Sequence, residues 1–199
     1  VALAPDCLAS MEKQLRELLS AAGDYANGHD SRILLCGILP TLTYQHLLSD
    51  AMTPNPRYYG LSRMMHSMRG RDFEVFLVGV DDMIASLDNL VFESCNTSFQ
   101  LHLQIEPEDF VEQYNWAQMI SGPVLAASAN SPLLFGRELW METRIALFQQ
   151  AVDTRTSANQ LRNKQPRVFF GSRWLQHSVT ELFKDNIARF PVLLIREKL

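Results

Sequence analysis

Three arginines in the second half of the chain have a spacing that could place them together. Arg137, Arg144 and Arg155 lie at positions i, i+7 and i+18, and at about 100° per residue these fall on one stripe of a continuous helix. Three guanidinium groups on one stripe could bind the phosphates of a nucleotide through planar, bidentate hydrogen bonds. The alternative is a solvated helix face, because Glu138 and Glu142 are close enough in sequence to pair with these arginines.

A second candidate is the segment NTSFQLHLQI, residues 96–105, in which polar and apolar residues alternate. In a strand, Gln100, His102 and Gln104 would lie on one face and the apolar residues on the other. Amide and imidazole groups on one face could share a hard cation with carboxylates and phosphate oxygens. The polar row could equally face water, and a single histidine on a strand is more often a structural residue than a ligand.

Composition excludes several classes of function. The chain has 199 residues and a net charge of −4, with 47% hydrophobic and 20% charged residues, which is ordinary for a globular domain. This charge gives no reason to expect a nucleic-acid or membrane partner, and the apolar runs are far shorter than the roughly 20 residues of a membrane span. The three cysteines are widely spaced, which favours a reducing, cytoplasmic compartment over a disulfide framework or a zinc site.

The elements that must position these residues follow from hydrophobic periodicity. Helices are predicted over residues 6–22, 57–68, 107–124, 136–152 and 179–190. Strands are predicted over residues 33–36, 73–80, 96–105 and 168–170, with a final strand in the apolar run after Pro191. A short helix is expected from Asp81 or Asp82 to Asn89, and a loop over 154–165. Because strands and helices mix without a regular βαβ rhythm, we predict an α+β fold with an antiparallel sheet flanked by helices.

One block of the sequence has a distinctive motif. Residues 124–132 read VLAASANSP and are followed by Gly136 and Arg144. Upstream, G-x-x-P begins at Gly37 and R-Y-x-x-L covers 57–61, while QLHL at 100–103 is a polar strand pattern. Together these segments resemble the glutamate–cysteine ligase family 2, the carboxylate–amine ligases, whose patterns are P-x-L-x-A-L-S-A-N-S-P-x-x-x-G…R, G-x-x-P…R-Y-x-x-L and H-V-H-V. The S-A-N-S-P block is the most specific of these matches.

The resemblance implies an ATP-dependent ligase with a glutamine-synthetase-like catalytic fold. Such enzymes use ATP and Mg²⁺ to phosphorylate a γ-carboxylate, and an amine then displaces the phosphate to form an amide bond, as in glutathione biosynthesis. The expected partners are therefore small-molecule substrates, an amino acid carboxylate and an amine. Neither nucleic acid nor a membrane is expected, and a homo-oligomer is left open.

The resemblance also assigns expected roles to individual residues. Arg144 matches the arginine after the S-A-N-S-P block, and it would be catalytic and bind phosphate or carboxylate. Arg137 and Arg155 would join it at the nucleotide by helical spacing only. The resemblance implies His102 as a metal ligand, Gln100 as a metal or substrate contact and Asn130 as a substrate contact.

Two strands of the family pattern are not visible in this sequence, a glutamate-rich N-terminal strand and a late E-x-R strand. We therefore expect residues 1–199 to be a single domain, or a fragment of a larger ligase catalytic domain, incomplete at both ends. Two alternatives stay open beside an active ligase. One is a catalytically inactive ligase fold with a small-molecule-binding or regulatory role, and the other is a structural α+β domain.

Overall fold

The computed structural model describes residues 5–191, which form an α+β fold with two small antiparallel hairpins. The first hairpin pairs β1 (Phe73–Val78) with β2 (Asp82–Leu87). The second pairs β3 (Leu133–Leu134) with β4 (Arg137–Glu138). Helices precede and follow both hairpins, so the predicted α+β class with antiparallel strands flanked by helices is confirmed.

The helices of the described residues are α1 Cys7–Asn27, α2 Pro56–Arg69, α3 Val91–Ser94, α4 Phe110–Ser128, α5 Thr143–Ala151, α6 Ser157–Leu161 and α7 Thr180–Arg189. Single 3₁₀ turns cover Tyr44–His46, Ser49–Ala51 and Pro107–Asp109. The predicted helices near 6–22, 57–68, 107–124 and 179–190 are therefore confirmed in kind. Within residues 5–191, no helix is both long and apolar enough to cross a membrane.

The main core lies on one face of the β1–β2 hairpin. Val75 and Leu77 of β1 are buried together with Met83 and Ala85 of β2, because alternate residues of a strand face the same side. Helix α5 packs against β1, and α3 packs against α5. Leu147 of α5 is fully buried in this cluster. The hairpin therefore fixes the position of α5.

A side chain of α5 also bonds the backbone of β1. The N–H of Phe76 donates to Gln150 Oε1 at 2.7 Å, and Gln150 Nε2 donates to the carbonyl of Phe76 at 2.9 Å. One amide group thus satisfies both backbone groups that a further strand would otherwise bond. The contact ties α5 to the hairpin by hydrogen bonds as well as by apolar packing.

Residues 136–152 do not form one helix, so the predicted arginine stripe is wrong. Phe135 and Gly136 have φ values of 50° and 74°, the pattern of a type I′ turn, and they close the β3–β4 hairpin. Arg137 lies in β4, Arg144 in the first turn of α5 and Arg155 in the loop after α5. The turn and the backbone bonds of the hairpin override the helical periodicity here.

The polar segment 96–105 is also not a strand in the structure. Asn96 forms an isolated bridge with Ile38, but residues 97–103 belong to no helix or strand and are exposed. Alternation predicts a strand only where a neighbour supplies backbone partners along its length. Among the residues that the structure describes, that pairing is confined to single bridge positions.

Smaller predictions fail for similar local reasons. The segment expected to form a helix from Asp81 or Asp82 is strand β2, because its apolar residues pack against β1. Residues 33–36 and 168–170 are not strands, and α6 lies within the predicted loop 154–165. The final strand predicted after Pro191 lies outside the described residues.

Candidate active site

Segments from four parts of the chain meet around Gly37. The N–H of Gly37 donates to the carbonyl of Asn130 at 3.2 Å, and the carbonyl of Gly37 accepts from the N–H of Thr97 at 2.9 Å. Arg144 Nη1 donates to the carbonyl of Thr97 at 2.8 Å. We name Gly37, Thr97, Asn130, Glu142 and Arg144 the Gly37 cluster. It joins the G-x-x-P segment, the S-A-N-S-P block, the start of the polar segment and α5.

The S-A-N-S-P block positions the first turn of α5. The N–H of Ser131 donates to the carbonyl of Met141 at 2.9 Å, and Ser131 forms a parallel bridge with Glu142. The Ser131 hydroxyl, which is almost completely buried, accepts a long bond from the N–H of Arg144 at 3.4 Å. The motif therefore fixes the backbone from which the Arg144 side chain projects.

Glu142 orients the guanidinium of Arg144. The distance from Arg144 Nε to Glu142 Oε1 is 2.5 Å, and the two side chains are 19% and 6% exposed. The other carboxylate oxygen of Glu142 accepts from the N–H of Asn130 at 3.4 Å, which is a weak bond. Pairing of Glu142 with an arginine, which the sequence offered as the alternative to a ligand site, is confirmed for Arg144.

Arg144 nevertheless keeps hydrogen-bond donors for a ligand. Its Nε and Nη1 are bonded to Glu142 and Thr97, whereas Nη2 makes no hydrogen bond within residues 5–191. A guanidinium carries five N–H donors in a fixed planar fork, so three of them, two on Nη2 and one on Nη1, are not used by the bonds to Glu142 and Thr97. Charge-assisted bonds from such donors to phosphate or carboxylate oxygens are among the stronger hydrogen bonds. The arrangement suits the binding of an oxyanion.

The backbone at Gly37 approaches the side chains of the cluster so closely that a Cβ atom there would displace them. A Cβ atom at Gly37 would lie 2.6 Å from Asn130 Oδ1, 2.7 Å from Arg144 Nε and 2.8 Å from Arg144 Cζ. This close approach, rather than a positive φ, favours glycine here, because a larger residue would force the Asn130 and Arg144 side chains to move. Asn130 and Arg144, two of the predicted site residues, therefore both lie against the G-x-x-P segment.

We expect Gly37→Ala to displace the Arg144 guanidinium. The added methyl group overlaps Nε and Cζ while Glu142 and Thr97 hold the other side, so the variant should lose about 1–3 kcal/mol of unfolding free energy. Urea unfolding measures this loss, and the Arg144 Nε–H signal in a ¹⁵N NMR spectrum should move. Gly23→Ala is the control, because a Cβ there meets nothing within 4 Å. An unchanged Arg144 signal in Gly37→Ala would contradict the close approach.

The other predicted site residues do not take part in the hydrogen bonds of the Gly37 cluster. Gln100 and His102 follow Thr97 by three and five residues, and both are exposed. Arg137 is exposed on β4. Within residues 5–191, no group of three or more His, Cys, Asp or Glu side chains is placed to hold a metal ion.

Arg155 is committed to a structural pair with Asp153. Arg155 Nε donates to Asp153 Oδ1 at 2.9 Å, and Arg155 Nη2 donates to Asp153 Oδ2 at 2.7 Å. Arg155 Nη1 donates to the carbonyl of Lys164 at 2.6 Å. Burial alone raises the pKa of Asp153, but the hydrogen bonds from Arg155 outweigh it and hold that pKa below its usual range. The same hydrogen bonds raise the pKa of Arg155. The pair fixes the loop after α5.

This pair predicts stability that is lost in acid. Because the folded pKa of Asp153 lies below its unfolded value, the carboxylate stabilises the fold above about pH 4, and that contribution disappears as pH falls through the folded pKa. Asp153→Asn should cost about 2–3 kcal/mol at neutral pH and weaken the pH dependence below about pH 4. Urea unfolding along a pH series measures both effects. Asp50→Asn, at an exposed position, should keep the wild-type slope, and an equal slope in Asp153→Asn would refute the assignment.

Sequence reasoning did not identify the roles of Gly37 and Thr97. Gly37 belongs to the G-x-x-P match, so the pattern marked its position but not the side chains that it touches. Thr97 contributes its carbonyl to Arg144, and a backbone group leaves no signal in residue type. Its hydroxyl bonds the carbonyls of Cys36 and Gly37 at 2.6 and 2.8 Å, which keeps the polar segment against the cluster.

Comparison with known proteins agrees with the family resemblance of the sequence motifs. A family model described as glutamate-cysteine ligase family 2 matches residues 3–168, a range that contains the whole Gly37 cluster and most of the 199-residue chain. No curated protein and no solved structure matches the chain. The family implies ATP-dependent ligation of a carboxylate and an amine in general, with small-molecule substrates. This chain belongs to glutamate–cysteine ligase family 2.

Proposed function

We propose that the Gly37 cluster is part of the active site of an ATP-dependent carboxylate–amine ligase of the glutamate–cysteine ligase type. The observation that supports this function is the Arg144 guanidinium, fixed by Glu142 and Thr97 with Nη2 open to a ligand. It lies within the segments that carry the family pattern. Residues 1–199 would be a single domain or a portion of a larger ligase catalytic domain.

Formation of an amide from a carboxylate requires a better leaving group than oxide. ATP, when bound, supplies a phosphoryl group: a carboxylate oxygen bonds to phosphorus, the bond to ADP breaks, and an acyl phosphate results. The amine nitrogen then bonds to the acyl carbon and loses a proton. The carbon–oxygen bond breaks, and inorganic phosphate leaves with one oxygen of the original carboxylate.

The residues of the Gly37 cluster suit the charge that this reaction develops. Donors from Arg144 can bind the oxygens of the transferred phosphoryl group and neutralise charge as the group moves. Glu142 keeps the guanidinium from reorienting, so little reorganisation is needed during the reaction. The exposed amide of Asn130, next to the same glycine, would contact the substrate. Arg137 and Arg155 are not assigned to the nucleotide, because the helical stripe that nominated them does not exist.

A metal ion for this reaction would need more ligands than the described residues bring together. We propose Gln100 and His102 as contacts for a metal or substrate on the exposed continuation of Thr97. Two neutral ligands do not make the oxygen-rich shell that Mg²⁺ prefers, and the described residues offer no cluster of three ligands. The residues that the structure describes therefore do not fit a complete magnesium site.

The proposal is tested by an assay for coupled phosphate release and amide formation. The whole protein is incubated with ATP, Mg²⁺ and pairs of amino acids, beginning with glutamate and cysteine, and the products are identified by mass spectrometry. We expect release of phosphate that requires both an acid and an amine. Binding of ATP without turnover for any pair would favour the inactive ligase fold instead. If calorimetry showed no binding of nucleotide, both the active ligase and the inactive nucleotide-binding ligase fold would be rejected.

A further inference from the structure

A strongly basic cleft of about 650 Å³ lies where the α6 region meets the end of α7. Five basic side chains line it, and no Asp or Glu is among the described residues of its lining. They are Arg155, Arg162, Lys164, Arg167 and Arg189. The volume lies within the usual range for pockets that bind small ligands.

Two of these five cations are neutralised by carboxylates behind the lining. Arg155 is paired with Asp153 at 2.7 Å. Arg189 is paired with Asp185, also at 2.7 Å. Among the described residues, three basic side chains of the lining remain without such a pair.

The three remaining cations have no carboxylate partner among the described residues. Arg162 and Lys164 make no side-chain hydrogen bond or ion pair within residues 5–191. Arg167 donates from Nη2 to the carbonyl of Pro191 at 2.6 Å and lies 5.0 Å from the centre of the Phe190 ring. Its buried Nε has no hydrogen-bond partner within the described residues. Three positive charges around one cavity repel one another, so a multiply charged anion would relieve an unfavourable arrangement.

The cleft is separate from the Gly37 cluster. Arg144 lies in the first turn of α5, whereas Arg155 follows the end of that helix. The nine residues of α5 span about 14 Å at 1.5 Å per residue. None of the residues that line the cleft belongs to the Gly37 cluster, so a small ligand bound in the cleft would occupy a site of its own.

We propose that this basic cleft is a second anion site, which binds a ligand with two or more linked phosphate groups. A phosphate group carries close to two negative charges and three acceptor oxygens, so linked phosphates place more charge in the cleft than carboxylates of the same size. The planar forks of Arg162 and Arg167 and the mobile ammonium of Lys164 suit such oxygens. The site requires no ligase activity in this chain.

The test is calorimetric titration of the whole protein with pyrophosphate and with ADP, at low ionic strength and without divalent metal. Wild type should show saturable binding, and Arg162→Gln and Lys164→Gln should each weaken it about fivefold to tenfold, because each removes a charge-assisted contact. The double variant should show a larger loss. Arg63→Gln, an exposed cation on α2 outside the lining, should change the affinity less than twofold. Tighter binding of pyrophosphate would assign an inorganic ligand, and tighter binding of ADP a nucleotide.

Several results would overturn this site. They are the absence of saturable binding, wild-type affinity in the double variant, an equal loss in Arg63→Gln, and binding of citrate as tight as that of pyrophosphate. Binding that Arg144→Lys removes while the double variant retains it would place the ligand at the Gly37 cluster instead. Neither Arg162 nor Lys164 has a side-chain partner within residues 5–191, so circular dichroism should show folded variants. Failure of the ligase assay would leave this titration unaffected, so the two proposals fail separately.

Discussion

Arg144→Lys is expected to lower the kcat of amide formation about 10²–10³-fold, the scale of losing an oriented donor to a developing oxyanion. Lysine keeps the positive charge next to the buried carboxylate of Glu142. It cannot bond Glu142, the carbonyl of Thr97 and a ligand oxygen at once in one plane. The variant therefore removes the geometry of the site and retains its charge.

The conservative replacement separates catalysis from folding. Removing the charge of Arg144 altogether would leave Glu142, 4% exposed, as an unpaired buried carboxylate, which typically costs about 3–5 kcal/mol. Arg144→Lys should stay within about 1–2 kcal/mol of wild type in urea unfolding. Arg63→Lys, at an exposed position on α2, is the matched control and should leave kcat unchanged. Wild-type kcat in Arg144→Lys would remove this arginine from the reacting centre.

Gly79→Ala should be the most destabilising of the glycine-to-alanine substitutions in the described chain. A Cβ at Gly79 would lie 2.3 Å from both Cα and C of Leu139 and 2.6 Å from the nitrogen of Trp140. These are backbone atoms, so no side chain can rotate away to make room. The β1–β2 turn must therefore separate from the chain that follows β4.

Two hydrogen bonds join the β1–β2 turn to β4 next to the contact that Gly79→Ala would disrupt. The N–H of Asp81 donates to the carbonyl of Glu138 at 2.7 Å, and the N–H of Glu138 donates to Asp81 Oδ2 at 2.9 Å. Overpacking against fixed atoms reaches about 3 kcal/mol or more. We expect a loss of that size in urea unfolding, with a lower Tm.

Gly60→Ala is a control that should change the free energy of unfolding in the opposite direction. Gly60 lies inside α2, and a Cβ there meets nothing within 4 Å, so alanine should stabilise the protein by about 0.5–1 kcal/mol. Equal effects of the two glycine substitutions would show that the β1–β2 turn does not approach the backbone after β4 as described.

Local signals were sufficient for elements that the chain specifies by itself. Helix α2 was predicted over residues 57–68, and in the structure it begins at Pro56, where the Asn55 side chain accepts from the N–H of Arg57 at 3.0 Å. Gly70, with a φ of 73°, ends the helix. Strand β1 was recognised from its apolar residues. In each case a few neighbouring residues determine the backbone conformation.

Elements that depend on distant partners were predicted less well. The alternation of residues 96–105 resembles that of a strand, but a ladder requires a partner that sequence periodicity does not supply. The arginine stripe failed because a two-residue turn at Phe135 and Gly136 precedes Arg137. The S-A-N-S-P block was found by its pattern, whereas the approach of Gly37 to Arg144 depends on a contact between residues more than one hundred positions apart. Motifs therefore located the segments of the candidate site, and only the fold showed how they meet.

The most direct test of the ligase assignment follows one oxygen atom. The acid substrate is labelled with ¹⁸O in the carboxylate that is to be joined, and the phosphate released during turnover with ATP and the amine is analysed by mass spectrometry. When an acyl phosphate breaks down, one oxygen of the carboxylate leaves with the phosphorus. We therefore expect one ¹⁸O atom in each phosphate released. In Arg144→Lys the rate at which labelled phosphate forms should fall by the same factor as kcat. Phosphate released without ¹⁸O would mean that ATP is cleaved by water, and it would contradict the proposed reaction.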